Sequence, residues 1–264
     1  ALKLLRERCA DKIYLITDED VLYKHPSVQA MAEKLFDGIH TNYKPTAFDK
    51  VYVGDWSIPE CLIKAKVAYR RPVWWVNHSS YAGMHEVQVY LNMIDASNSD
   101  FSGFISLISD APVLESDKPK VALANSSNKV GSRKGGKTGW SGFPGLSKRL
   151  IDFGYEVILV GQGDELRGCD GINFVDHLDI FETSKVISQC DFMVCVDTGL
   201  MHIADSLGVP IVLLAGPTPM TKARPLVSTH HIIRKFISCA PCYQSILWNN
   251  CDKALCMDAI TVED

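Results

Sequence analysis

The sequence lacks any long apolar run: no uninterrupted hydrophobic stretch approaches the roughly 20 residues that a membrane-crossing helix needs, so no membrane span is read from it. It lacks a secretory signal too, because its first residues, ALKLLRERCADK, are charged throughout and have no apolar core or small-residue cleavage site. Strong charge of either sign is missing: the formal net charge is −4, which argues against general nucleic-acid binding. No internal repeat or low-complexity segment is visible. What the chain does have is core-forming material, 264 residues of which 47% are hydrophobic, enough for one large domain or two ordinary ones without disulfides. Of nine cysteines, Cys61, Cys190 and Cys195 stand singly inside apolar runs and read as small buried hydrophobes. A cytoplasmic, reducing compartment is the expectation.

One absence is local. From Lys118 to Arg149 there are eight basic residues (Lys118, Lys120, Lys129, Arg133, Lys134, Lys137, Lys148, Arg149) and no acidic one. In a slightly acidic chain this is either a positive field for an anionic ligand or a solvated loop.

Short β-rich runs, KIYLIT (12–17), KVYVG (50–54) and RPVWWVN (71–77), alternate with helical stretches, SVQAMAEKLFDGI (27–39) and MHEVQVYLNMIDA (84–96). ISDAPVLESDKP (108–119), with two prolines and three acids, reads as an interdomain linker. Beyond it the alternation is clearer: strands at 120–125, 155–161, 191–197 and 210–216, and helices at 143–154, 179–190 and around His202. Strands apolar on both faces and separated by helices predict buried parallel sheets, hence an α/β protein of two lobes with a cleft between them, divided as residues 1–113 and 114–264. Ligands of such sheets bind beyond the carboxyl ends of strands, so the loops after Asn125, Gly161, Asp197 and Gly216 are expected to line one edge.

Two motifs compete for that edge. Gly131 to Thr138, GSRKGGKT, satisfies G-x-x-x-x-G-K-[ST], and would make the chain an ATPase or kinase acting through Lys137. A P-loop, however, follows its strand directly and opens a helix at the Lys-Thr, whereas here NSSNKV intervenes and Gly139, Gly142, Pro144 and Gly145 obstruct a helix. The second motif is Asp197-Thr198-Gly199 with His202. A strand delivers the chain to the edge, Gly199 allows close approach to the backbone, and a helix opens with unpaired N–H groups. Leu200, Ile203, Ala204 and Leu207 would form its apolar face, leaving His202 on another, able to donate to a phosphate oxygen. An ordinary helical crossover carrying a surface His is the alternative.

DTGLMHIADSLGVPIVLLAGPTP resembles the C-terminal signature of glycosyltransferase family 9, the ADP-heptose:lipopolysaccharide heptosyltransferases, over about two dozen positions. Ser126-Ser127, Lys137 and Trp140, and then VILVGQGDE, are similar to further family segments in the same order, and MHEVQVYLNMIDA resembles the helix before the linker. The resemblance implies a GT-B-like fold of two Rossmann-like lobes, acceptor on the first and nucleotide-sugar donor on the second, needing no metal cofactor for transfer. It implies that Thr198, Gly199 and His202 hold the donor diphosphate, that Asp197 orders their loop, that Ser126, Ser127 and Lys137 face the phosphates, and that Glu165 bonds the ribose. The implied partners are an ADP-heptose-like donor and a glycan, lipid-linked or protein acceptor. The implied activity is inverting sugar transfer in lipopolysaccharide biosynthesis, in the cytoplasm or peripherally at the inner membrane face.

The family's Gly-Asp loop, which supplies the catalytic base, has no counterpart here, and the expectation is a chain that starts just after it. The alternatives are that Asp18, Asp55, His78 or His85 deprotonates the acceptor, or that the protein binds sugar nucleotides without catalysis. Near the end, Cys239, Cys242, Cys251 and Cys256 follow the spacing C-x2-C-x8-C-x4-C. Four thiols so spaced can close a tetrahedral structural Zn or Fe site, with free thiols or local disulfides as the other readings.

Overall fold

A computed structural model of the chain describes residues 111–125, 138–242, 251 and 254–264, together with the backbone of four short strands nearer the start. The chain divides into two compact units, Ala1–Asp100 and Phe101–Asp264. In the first, β1 (Tyr14–Ile16) pairs in parallel with β2 (Gly38–His40), and β3 (Val51–Val53) with β4 (Val73–Trp75). The last two residues of the helix expected over 27–39 thus belong to a strand, and the rest of that stretch lies outside the described residues. Gly38, which costs about 1 kcal/mol inside a helix, begins β2 instead.

The second unit carries a six-stranded, all-parallel sheet in the order β10-β9-β8-β5-β6-β7. Its strands are β5 (Lys120–Ala124), β6 (Glu156–Leu159), β7 (Ile172–Asn173), β8 (Phe192–Val196), β9 (Ile211–Leu214) and β10 (His230–Ile233). Numbered from β5, this is the doubly wound order 3-2-1-4-5-6, whose reversal point lies between β5 and β8. Alternation along each strand divides the core in two. Val121, Leu123, Val157, Leu159, Val194 and Val196 face one side, where Trp140, Phe143, Met257 and Ile260 pack on them. Ala122, Ala124, Ile158, Met193 and Cys195 face the other, under Val186, Ile187, Met201 and Ala204. Burying each such Val, Leu or Ile side chain is worth roughly 1.5–3 kcal/mol, so the strands' positions are fixed by apolar residues alone.

The connecting helices follow from local sequence. Helix α1 (Phe143–Asp152) has Pro144 in its first turn, where no backbone donor is lost. In α2 (Ile180–Ile187) the Asp179 carboxylate and Glu182 form a complete capping box. Helix α3 (Gly199–Ser206) ends at Gly208, whose φ of +73° is the left-handed conformation that glycine adopts without strain. Short helices α4 (Met220–Ala223) and α5 (Leu255–Asp258) complete the unit. Strands β7 and β10, at the two sheet edges, were not foreseen. The segment 111–119 is irregular, as a linker would be, and Gln189 at the end of α2 grips it, accepting from Leu114 N–H (2.9 Å) and donating to Pro112 O (3.0 Å). Among the described residues no helix is long and apolar enough to cross a membrane.

Candidate functional site

The carboxyl ends of the central strands leave the sheet side by side. Ala124 is in register with Cys195, Leu123 with Leu159, and Val196 with Leu214. The carboxyl ends therefore lie along one edge, and the strand order reverses between β5 and β8, the place where doubly wound sheets hold ligands. Asp197, Thr198, Gly199 and His202 follow β8 at that edge.

Helix α3 starts at this edge without a side-chain cap: Thr198 precedes it in extended conformation and its hydroxyl makes no capping bond. A Cβ placed on Gly199 would meet none of the described residues within 4 Å, so the absence of a side chain there is not demanded by their packing. Met201 N–H is bonded to Thr198 O at 3.1 Å, and among the described residues no side chain caps the amides of Gly199 and Leu200, an arrangement suited to a phosphate group. His202 is exposed on the first turn, as its spacing predicts, and Asp197 and Thr198 are half-buried. The helix is turned from the expected orientation: its buried residues are Met201, Ala204 and Asp205, while Leu200, Ile203 and Leu207 are only partly covered. Burial of Asp205 is possible because its carboxylate accepts from the N–H groups of Leu226, Val227 and Ser228 and from the Ser228 hydroxyl, at 2.8 to 2.9 Å. Burial pushes that carboxyl up, but these bonds outweigh it and hold it below its ordinary range.

On the other side, Asn125 organises the edge. Its side-chain amide donates to Trp140 O and to Glu165 O (both 3.0 Å), and its side-chain oxygen accepts from Trp140 N–H (2.9 Å). One buried side chain thus joins the end of β5, the far end of the loop that leaves it, and the loop after β6. From sequence Asn125 reads only as the end of a strand, because its partners lie 15 and 40 residues away. Trp140 is fixed in turn by donating from Nε1 to Ile260 O (2.9 Å). Glu165 is half-buried on the loop that begins at Gly161, where φ is +140° and an added Cβ would come within 3.4 Å of the Glu165 carboxylate.

The cysteine tail reaches the same edge. Cys242 N–H donates to Pro217 O (2.9 Å), and a Cβ on Gly216 would lie 3.2 Å from Cys256 Sγ. Burial raises the Cys256 thiol pKa, and the charges of Cys242 and Cys239 raise it further. Cys242 and Cys256 are buried, Cys239 and Cys251 intermediate. Among the described residues no three or more His, Cys, Asp or Glu side chains gather as a metal-holding group. Cys190 and Cys195 are core residues as expected; burial pushes the Cys190 thiol up to about 12 and that of Cys195 higher still.

Ser126, Ser127, Lys137, Asp18, Asp55, His78 and His85 lie outside the described residues. The basic run is divided by the fold: Lys120 starts β5 at the opposite edge of the sheet, and Arg149 sits late in α1 paired with Glu263 at 3.0 Å. Lys129, Arg133, Lys134 and Lys137 lie between Asn125 and Trp140 in the sequence and outside the described residues. The first helix after this loop opens at Phe143 rather than at Thr138, so the amides a P-loop would aim at a nucleotide are not those of Lys137-Thr138.

Residues 84–249 match the family model of glycosyltransferase family 9 (heptosyltransferase). Over 124 residues the chain is 30% identical to lipopolysaccharide heptosyltransferase 2 of Escherichia coli (strain K12), a stretch covering 39% of this chain and 36% of that protein. The matched stretch thus spans about a third of the curated relative. The fold is also that of the E. coli ADP-heptose lipopolysaccharide heptosyltransferase II structure, with a TM-score of 0.59 at 17% identity over 90% of this chain and 86% of that one. It is likewise that of TibC, an iron-containing dodecameric glycosyltransferase of enterotoxigenic E. coli H10407, with a TM-score of 0.56 at 15% identity over 96% and 74%.

Proposed function

The chain belongs to glycosyltransferase family 9, and on that premise we propose that it transfers a sugar from a nucleoside-diphosphate donor, ADP-linked and heptose-like, to an acceptor hydroxyl with inversion. The observation that carries this reading is the uncapped start of α3 at the sheet's reversal point, with Gly199 bare and His202 exposed beside it. Breaking the anomeric bond leaves a nucleoside diphosphate with added negative charge. Fixed amides at the α3 start and the His202 side chain stabilise that charge as it develops, and Lys137 is assigned the same task from the loop after β5. Glu165, on the β6 side, is assigned the ribose, with Ser126 and Ser127 beside the phosphates. The donor-binding lobe is residues 114–264 and the acceptor lobe 1–113. In direct displacement the acceptor hydroxyl attacks the anomeric carbon from the face opposite the leaving diphosphate and gives its proton to a base from the acceptor lobe, with Asp18, Asp55, His78 and His85 as candidates. The acceptor is of the lipopolysaccharide type that the relative's name gives for that protein.

A thermal-shift screen of nucleoside diphosphates and their sugars tests donor binding, with His202→Ala as the control. ADP or ADP-heptose is expected to raise the melting temperature of the wild type and to do so much less in the variant. Absence of any response in the wild type overturns the reading. Transfer or hydrolysis of a labelled donor then separates an enzyme from a pure binding protein, which would bind without turnover.

On the spacing C-x2-C-x8-C-x4-C alone, the tail carries a second, smaller proposal, a structural Fe or Zn held by Cys239, Cys242, Cys251 and Cys256. Such a metal would fix the tail against the Gly216–Pro217 turn and take no part in transfer. Metal analysis of anaerobically purified protein checks it: stoichiometric Fe or Zn is expected, and its absence sinks the proposal.

A further inference from the structure

The turn after β9, Gly216-Pro217-Thr218-Pro219, leaves the sheet next to the Asp197–Gly199 segment, because Leu214 and Val196 are in register. Its backbone is held on the side of the tail. Pro217 O accepts from Cys242 N–H at 2.9 Å, and Gly216 O accepts from the Arg234 guanidinium at 3.4 Å. Prolines on both sides of Thr218 restrict the backbone there. Thr218 itself is buried, with 5% of its surface exposed. Among the described residues its hydroxyl has no hydrogen-bond partner. The turn is thus secured by carbonyls and proline rings, and the hydroxyl takes no part in holding it. Buried hydroxyls are paired in nearly all folded proteins, and one left unpaired carries a cost that Val in the same space would avoid.

We propose that Thr218 is a further donor-site residue, whose hydroxyl donates a hydrogen bond to a phosphate oxygen of the nucleoside diphosphate received at the start of α3. This rests on the donor reading given above. Two segments then meet the diphosphate from neighbouring strands: the Thr198–His202 turn after β8 and Thr218 after β9. A hydroxyl at that position adds a neutral donor where helix amides and cationic side chains supply the rest, so it orients the phosphate without altering the net charge of the site.

Thr218→Val and Thr218→Ser in the full chain test the proposal, with ADP, inorganic pyrophosphate and adenosine as probes in calorimetry and thermal shift. The Val variant, which keeps the shape and loses the hydroxyl, is expected to melt at or above the wild-type temperature without ligand. It is expected to bind ADP and pyrophosphate about tenfold more weakly, the loss of one hydrogen bond to a charged group. Adenosine binding is expected to be unchanged, and Ser to restore most of the affinity for ADP. ADP binding equal to wild type in the Val variant overturns the proposal while leaving the donor reading in place. So does a fall in unliganded melting temperature that accounts for the weaker binding. If the wild type binds no nucleoside diphosphate, the donor reading falls and this proposal falls with it.

Discussion

Helices α2 and α3 are each eight residues long and both open at the carboxyl edge of the second-unit sheet, yet their first turns are finished in opposite ways. At α2 the Asp179 carboxylate accepts from Phe181 and Glu182 N–H at 2.7 and 2.8 Å, while Glu182 accepts from Asp179 N–H at 2.7 Å. Those amides are used by the chain itself, and a carboxylate at that place would repel a phosphate. At α3 the residue before the helix is Thr198, with no capping bond, and the first helical residue is Gly199, with space above it. The opposite end of α3 is firmly anchored, through Asp205 and the four bonds it accepts. One helix is closed for stability at its start; the other is uncapped at the end proposed to receive ligand and tied down at its far end.

The largest effect expected from disturbing this contrast is on catalysis. His202→Ala removes a donor to the developing charge and should lower kcat/KM for sugar transfer by about 10²–10³. Because His202 is exposed, its melting temperature should stay at the wild-type value. Asp205→Asn attacks the anchored end instead. It replaces a buried carboxylate that accepts from four donors and should cost about 1–3 kcal/mol of unfolding free energy, read by denaturant titration. The pH dependence has a definite sign. Burial raises the Asp205 carboxyl, but the bonds from Leu226, Ser228 and Val227 bring it below its ordinary 3.8. The stability it contributes is therefore present above that value and lost as pH falls through the lower folded value, so the gap between wild type and variant should close in acid.

Two smaller effects set the helix starts directly against each other. Gly199→Ala should leave unliganded stability unchanged or raise it by up to about 1 kcal/mol, since Ala favours helix over Gly and its Cβ meets none of the described residues within 4 Å. The same methyl should weaken ADP binding, by occupying the space a phosphate approaches through. Asp179→Ala should do the reverse, costing about 1 kcal/mol through loss of the cap while ADP affinity stays at the wild-type value.

The parts of this molecule that could be read from sequence are those whose physics is local. β5, β6, β8 and β9 announce themselves as apolar runs because they are buried on both faces, and α2 carries its capping residues within four positions of one another. β7, both of whose residues are exposed, and β10, which reads HHII, lie at the sheet edges where one neighbour is missing and the apolar signal thins. The Asp197–His202 turn was legible because strand end, glycine and helix start are contiguous. Asn125 was not, since its role exists only when Trp140 and Glu165 have been brought to it. Asp205, which the expected apolar face of α3 left out, is part of its buried face, because the donors that allow its burial lie 21 to 23 residues further on. Thr218 stood in a loop already assigned to the edge, but whether a hydroxyl is buried and unpartnered is a property of the packed structure alone.

The most direct test of the account is calorimetric titration of ADP into the wild type, Gly199→Ala and Asp179→Ala. The account predicts binding in the wild type, the same affinity in Asp179→Ala despite its lower stability, and a marked loss in Gly199→Ala despite its intact stability. Equal affinity in Gly199→Ala and wild type, or a loss in Asp179→Ala as large as that in Gly199→Ala, would contradict the claim that the open start of α3 is where the diphosphate is held.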